Sequence, residues 1–208
     1  MAGIMFKRRH EATMASLGTS FGYGDYSTTR YLNLPEPGTR ATSSQDMLFL
    51  SLRGRLVHTV EKNNWYVRPM IDAGWTYSYF DSFKERGAGG ANLAVRRRRE
   101  NYFNINPALE IGGEIQNQKD TLSRVYARVG VIHYLGRTKP EITARMEGAP
   151  VGVDPLKITG DMNRTYLDLN FGINILQRDK MGFRLEYSPQ LARNSRMHSG
   201  FFKLTIPF

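Results

Sequence analysis

Arginines and carboxylates recur in this chain at spacings of two and four. Arg53 and Arg55, Arg68 and Asp72, Glu110 and Glu114, Arg124 and Arg128, and Arg184 and Glu186 show the pattern, with Asp168 in a similar setting. Residues two apart in an extended strand point the same way, so each set loads one face of a strand with charge. Facing strands can then join these groups as charge-assisted hydrogen bonds. Arg53, Arg55, Arg68, Arg124 and Arg128 are the leading cations, with Asp72, Glu110 and Glu114 as their partners. Two outcomes are open. The charges satisfy one another in a narrow polar interior, or they hold a segment threaded through it.

Other chemistry is sought without success. The chain has no cysteine, which excludes disulfides and thiolate metal sites. His10, His58, His133 and His198 are not spaced with a second metal-ligating residue. For His58 and His133, near strand ends, an interfacial or hydrogen-bonded role is the reading. No G-x-S-x-G motif occurs, and no Ser–His–acid set can be assembled. The glycine-rich run 87–90 precedes no helical pattern, which argues against phosphate cradling. The sequence therefore predicts a non-enzyme without cofactor or metal. The net charge of +10 is scattered except at Arg96, Arg97, Arg98 and Arg99, which argues against nucleic acid as a partner. That run reads as a solvated loop tip or as a contact for the phosphates of anionic lipid headgroups.

The elements that must position these groups are strands. Period-two alternation marks eight of them: 11–23 (weak), 47–60, 65–80, 102–115, 122–135, 165–175, 181–187 and the C-terminal tail. In 65–80, Trp65, Val67, Pro69, Ile71, Ala73, Trp75, Tyr77 and Tyr79 share one side and Arg68, Asp72, Thr76 and Ser78 the other. A strand of that length suits a tilted bilayer crossing that projects into solvent. The tail alternates Phe202, Leu204, Ile206 and Phe208, the last being the final residue. An apolar strand running to the chain end is unusual where termini fray, and fits a barrel whose last strand pairs with its first.

Connections alternate in length. Those near Glu61, Asn117 and Asp179 are tight; those at 24–46, 81–101 and 136–164 are long; 192–198 is of middling size. Short turns on one side and long loops on the other are the outer-membrane pattern. The aromatics suggest two interfacial girdles, with Trp65 and Phe183 near short turns and Tyr77, Tyr79, Tyr102, Phe103, Tyr134 and Tyr166 near long loops. No apolar run is long enough for a transmembrane helix. The first ten residues lack the apolar stretch of a signal peptide, so an upstream part is expected.

The run W-Y-V-R-P-M-I-D-A-G-W-T-Y-S-Y-F-D-S-F-K-E-R-G-A-G-G-A-N-L-A-V resembles the middle of an autotransporter β-domain, the translocator of type V secretion. P-A-L-E-I-G-G-E-I, V-Y-A-R-V-G-V-I-H-Y-L, L-D-L-N-F-G-I-N-I-L and the closing F-K-L-T-I-P-F are similar to it as well. The resemblance covers the chain from about residue 47 onward. It implies an all-β, antiparallel, transmembrane up-and-down β-barrel domain over 1–208, with 1–46 giving the weakest strand signal. About eight strands would form the C-terminal part of a twelve-stranded barrel, with closure left open. It further implies a Gram-negative outer-membrane location and a covalent N-terminal passenger to be exported and displayed. The expected partners are outer-membrane lipid and lipopolysaccharide, with the barrel-assembly machinery reached through the C-terminal strand. A small structural or adhesive barrel, and a soluble β-sandwich binding module, are the alternatives.

Overall fold

The computed structural model describes residues 1–33, 39–117, 121–177 and 181–206. The turns expected near Asn117 and Asp179 fall largely on 118–120 and 178–180, outside the described residues, as does Phe208. The strands are β1 (Ala2–His10), β2 (Thr13–Tyr31), β3 (Arg40–His58), β4 (Val60–Lys62), β5 (Trp65–Phe80), β6 (Phe83–Lys84), β7 (Leu93–Val95), β8 (Arg98–Asn117), β9 (Thr121–Leu135), β10 (Glu141–Met146), β11 (Leu156–Thr159), β12 (Thr165–Gln177), β13 (Gly182–Ala192) and β14 (Ser195–Thr205). No described helix is long and apolar enough to cross a membrane.

The large antiparallel sheet runs β1-β2-β3-β5-β8-β9-β12-β13-β14, with β4 also pairing with β5. It curls through 197°. Every neighbour in it is also the next long strand in sequence, the up-and-down order that alternation predicts. The order holds nine strands, one more than the eight read from pattern, because residues 2–10 pair with β2 from Ala2↔Phe21 to His10↔Thr13. An odd number places Met1 on the side of the long connections. Glu11 (φ 48°) and Asn63 (φ 54°) turn two of the short hairpins through left-handed backbone.

Three strand prolines leave a common mark. Pairing lapses opposite Pro69, Pro107 and Pro189, on one side of each, and resumes in the same register beyond. Proline has no N–H to give the ladder. This is why β4 is separate from β3 although it continues it in line.

The long connections are more structured than expected. The hairpin β2–β3 stays paired out to Tyr31↔Arg40, so most of 24–46 is strand. The connection at 192–198 is a two-residue turn, since Ala192 pairs with Ser195. The other two long connections meet in a second sheet of order β11-β10-β7-β6. It is tied to the hairpin by the bridge Thr42↔Arg86. Gly87 (φ 102°) follows, where an added Cβ would lie 2.6 Å from the Arg40 carbonyl oxygen.

Burial is sparse and falls in two places. Ala41, Ala88, Val95, Ala144 and Glu85 are buried where the small sheet meets the hairpin. Ser51, Tyr66, Ser78, Asn106 and Asp168 are buried on the polar face of the large sheet. The opposite face leaves Leu56, Ile71, Ile111, Val129, Phe171 and Leu185 between 46% and 49% exposed. An apolar surface of that extent on a monomer marks contact with something other than water.

Candidate functional site

The polar face is the concave one. Asn106 on β8 reaches Asp168 on β12 across the intervening β9. A cleft of about 1110 Å³ on this face is lined by side chains from β1, β2, β3, β5, β8 and β9 together with Gln190 of β13.

Ten of the eleven charged residues singled out by spacing form five ion pairs there. Arg55 grips Asp72 with Nε–Oδ1 at 2.5 Å and Nη2–Oδ2 at 2.8 Å. Arg68 meets Glu110 at 3.1 Å and donates to Thr59 Oγ1 at 3.2 Å. Arg124 meets Glu114 at 2.6 Å, Arg128 meets Asp168 at 3.0 Å, and Arg184 pairs with Glu186. The first four pairs join residues of different strands. The eleventh residue, Arg53, forms no ion pair among the described residues and lines the cleft.

Asp168 is the centre of this network and is 3% exposed. It accepts from Arg128, from Asn106 Nδ2 at 3.2 Å and from Gln190 Nε2 at 3.1 Å, which ties β8, β9, β12 and β13 together. Asn106 Oδ1 and Arg128 Nε are buried beside it without a protein partner. Such groups favour hydration or a hydrogen-bonding guest over a dry core.

Two tyrosines complete the face. Tyr66, Gly112, Tyr126, Gly172 and Glu186 stand in one cross-strand row. Each ring lies over a neighbouring glycine, where an added Cβ would approach within 2.3 Å of Tyr66 or Tyr126. Tyr66 OH donates to Glu110 at 3.0 Å, and Tyr126 OH donates to Glu186. Arg68 stacks on the Tyr66 ring at 3.9 Å. Charge spacing did not single these residues out. The signal was a tyrosine and a glycine at inward positions of adjacent strands, which needs the register to be seen.

The eight proposed girdle residues divide between the faces. Trp65, Tyr77, Tyr79, Phe103 and Phe183 share the apolar face. Tyr102, Tyr134 and Tyr166 do not. Tyr102 is paired with Thr76 and donates to Glu100, while Tyr134 lines the cleft and meets Tyr166 edge-on at 5.9 Å. Adjacent strand residues point to opposite faces, so Tyr102 and Phe103 cannot both face outward. At the C-terminus, Phe202 and Leu204 lie opposite Leu185 and Phe183 on the apolar face, and Phe202 meets Phe183 at 5.3 Å. Ile206 is exposed beyond the end of β14.

The arginine run is split. Arg98 ion-pairs with Glu100 at 3.1 Å and covers the Phe80 ring, Arg99 lies over Tyr79, and Arg96 and Arg97 are exposed. His58 and His133 each bond a threonine on the neighbouring strand, Thr13 and Thr165, at 2.9 Å. Among the described residues no cluster of three potential metal ligands exists.

Above the large sheet, Glu85, the residue after β6, takes a two-point grip from Arg30 of β2, at 3.0 and 2.5 Å. The Leu93 N–H also donates to it, at 2.8 Å. The Arg30 contact holds the Glu85 carboxyl below the usual range although burial pushes it up, and the Leu93 bond adds to the lowering.

The model of the family described as autotransporter beta-domain matches residues 1–188. No curated protein matches the chain. Among solved structures, the β domain of the Bordetella autotransporter BrkA is similar at 12% identity and a TM-score of 0.28, over 99% of this chain and 84% of that one.

Proposed function

Because this chain belongs to the autotransporter β-domain family, a family of outer-membrane translocator barrels, we propose that it anchors and helps export a covalently attached N-terminal passenger. The observation that carries this is the division of the sheet. Apolar residues are exposed on the convex face, while the concave face holds ion pairs, tyrosines and a large cleft. A surface of the first kind suits hydrocarbon, and a hydrated surface of the second kind accommodates an extended polar chain.

The chain's own part is physical and not catalytic. Asp168, Asn106 and Arg128 give the passing segment exchangeable hydrogen-bond partners. The ion pairs keep the wall hydrated and resist collapse onto the segment. Trp65, Tyr77, Tyr79, Phe103 and Phe183 set the depth of the barrel in the Gram-negative outer membrane. Phe202, Leu204 and Ile206 on the final strand present the surface that the barrel-assembly machinery reads. Arg97 and Arg99 face lipopolysaccharide phosphates. β1 and β14 have no second neighbour among the described residues, and their free backbone groups must be covered before the sheet can sit in hydrocarbon.

The test fuses a signal peptide and a tagged soluble domain ahead of Met1 and expresses the fusion in a Gram-negative host. Outer-membrane fractionation and cleavage of the tag by protease added to intact cells are expected. Recovery of the whole fusion in the soluble periplasm refutes the reading.

A further inference from the structure

Among the described residues, eight ion pairs occupy Arg30, Arg55, Arg68, Arg98, Arg124, Arg128, Arg184 and Lys157. The surplus behind the charge of +10 must lie on other residues, and part of it gathers on the small sheet. Register sets Lys84, Ala94 and Arg145 in one cross-strand row. Arg96 and Thr143 stand beside that row, joined by the Arg96 N–H to the Thr143 carbonyl at 3.1 Å. Strand alternation puts these side chains opposite Glu85, Val95 and Ala144, which are buried at the hairpin. The cations therefore point away from the hairpin, on a sheet whose other face is fixed.

Lys84, Arg96 and Arg145 are exposed and meet no carboxylate within ion-pair distance among the described residues. The two acids on their own face are engaged elsewhere: Glu141 with Lys157 at 3.7 Å and Glu147 with Asn92 at 3.1 Å. The strand spacing places the three backbones within roughly 10 Å of one another. Like charges held that close on a rigid support favour a bound anion. All three line one cleft of about 360 Å³, along with Ser82, Thr143, Phe83 and Pro155. That volume is at the small end for a ligand site, and on the face of the cations its walls combine hydroxyls and a proline.

We infer that this cleft binds a phosphate monoester carried on a sugar ring. Lys84, Arg96 and Arg145 take the phosphate, with Ser82 and Thr143 donating from the side. Pro155 covers the apolar face of the ring, while Phe83, in register with the buried Val95, lies on the hairpin side of the sheet. A glycolipid headgroup of the outer leaflet and a free sugar phosphate both present this chemistry.

The experiment uses the full chain folded in detergent micelles, titrated calorimetrically with glucose 6-phosphate, glucose and inorganic phosphate. Saturable binding of glucose 6-phosphate is expected, tighter than either fragment. Arg96→Gln, Arg145→Gln and Lys84→Gln are each expected to weaken it about tenfold, whereas Arg196→Gln on β14 leaves it unchanged. Three separate exposed positions keep the test intact should one variant misfold. Competition by vesicles containing lipopolysaccharide, but not by vesicles of the dephosphorylated lipid, supports the site and assigns the headgroup. Failure of both to compete with a ligand that the variants lose supports it and assigns the soluble sugar phosphate. Absent saturation, binding indifferent to the three substitutions, or inorganic phosphate binding as tightly as the sugar phosphate overturns the inference.

Discussion

Asp168→Ala tests whether the concave network holds the sheet together. The carboxylate is 3% exposed and accepts from Arg128, Asn106 and Gln190 at 3.0 to 3.2 Å. Removing it leaves the Arg128 guanidinium, whose side chain is 19% exposed, without its counter-charge. Breaking a buried pair from one side costs about 3–5 kcal/mol. The cleft admits some water, so the lower half of that range, about 3 kcal/mol, is expected. Asp168→Asn keeps the shape and loses the charge, for about 1.5 kcal/mol. Asp168→Ala with Arg128→Met removes both partners and recovers more than half of the loss, because the penalty resides in the stranded charge. Urea unfolding in lipid vesicles, followed by the fluorescence of Trp65 and Trp75, reads all three. A loss for Asp168→Ala under about 0.5 kcal/mol, within the range of ordinary surface changes, would refute the reasoning.

Other perturbations separate the remaining features. Gly172→Val sets a side chain into the Tyr126 ring and is expected to cost about 1–3 kcal/mol. Tyr126→Ala in the same chain relieves most of that, and equal costs in both backgrounds would disprove the packing. Val129→Arg at mid-strand on the convex face costs about 2–4 kcal/mol if that face meets hydrocarbon and close to nothing if it meets water, measured by unfolding from vesicles. The Glu85 strap has a defined pH sense. Its carboxyl is lowered in the folded chain, so its contribution is present above the unfolded value of about 4.3 and is lost as pH falls through the lower folded one. Hydrogen-exchange protection at 83–95, taken relative to the intrinsic rate at each pH, should fall at pH 3 compared with pH 7 and do so at pH 7 in Glu85→Gln; protection independent of both would count against the strap.

The sequence made the long strands legible because one face of each is apolar and the other polar. Leu48, Leu50, Leu52 and Leu56 opposite Ser51, Arg53 and Arg55 are enough to place β3. Its outward extension has no such contrast. Residues 24–30 read G-D-Y-S-T-T-R and are solvated strand held by backbone pairing to β3. β1 was missed for a related reason, since both of its faces are exposed. The ion pairs were foreseeable from charge and parity. Asn106, Gln190 and the tyrosine–glycine row were not, because they depend on which residues of distant segments share a height. Arg30 and Glu85 lie 55 positions apart in segments read as loop, and nothing local announces their meeting.

The small sheet carries information about the order of events. β6 and β7 precede β8, whereas β10 and β11 follow β9, so β7 meets β10 only when both ends of the β8–β9 hairpin have been brought home. Closing that contact early would cost loop entropy with little gained in return. The cap therefore forms after the wall beneath it, and a probe on the cap reports a finished wall.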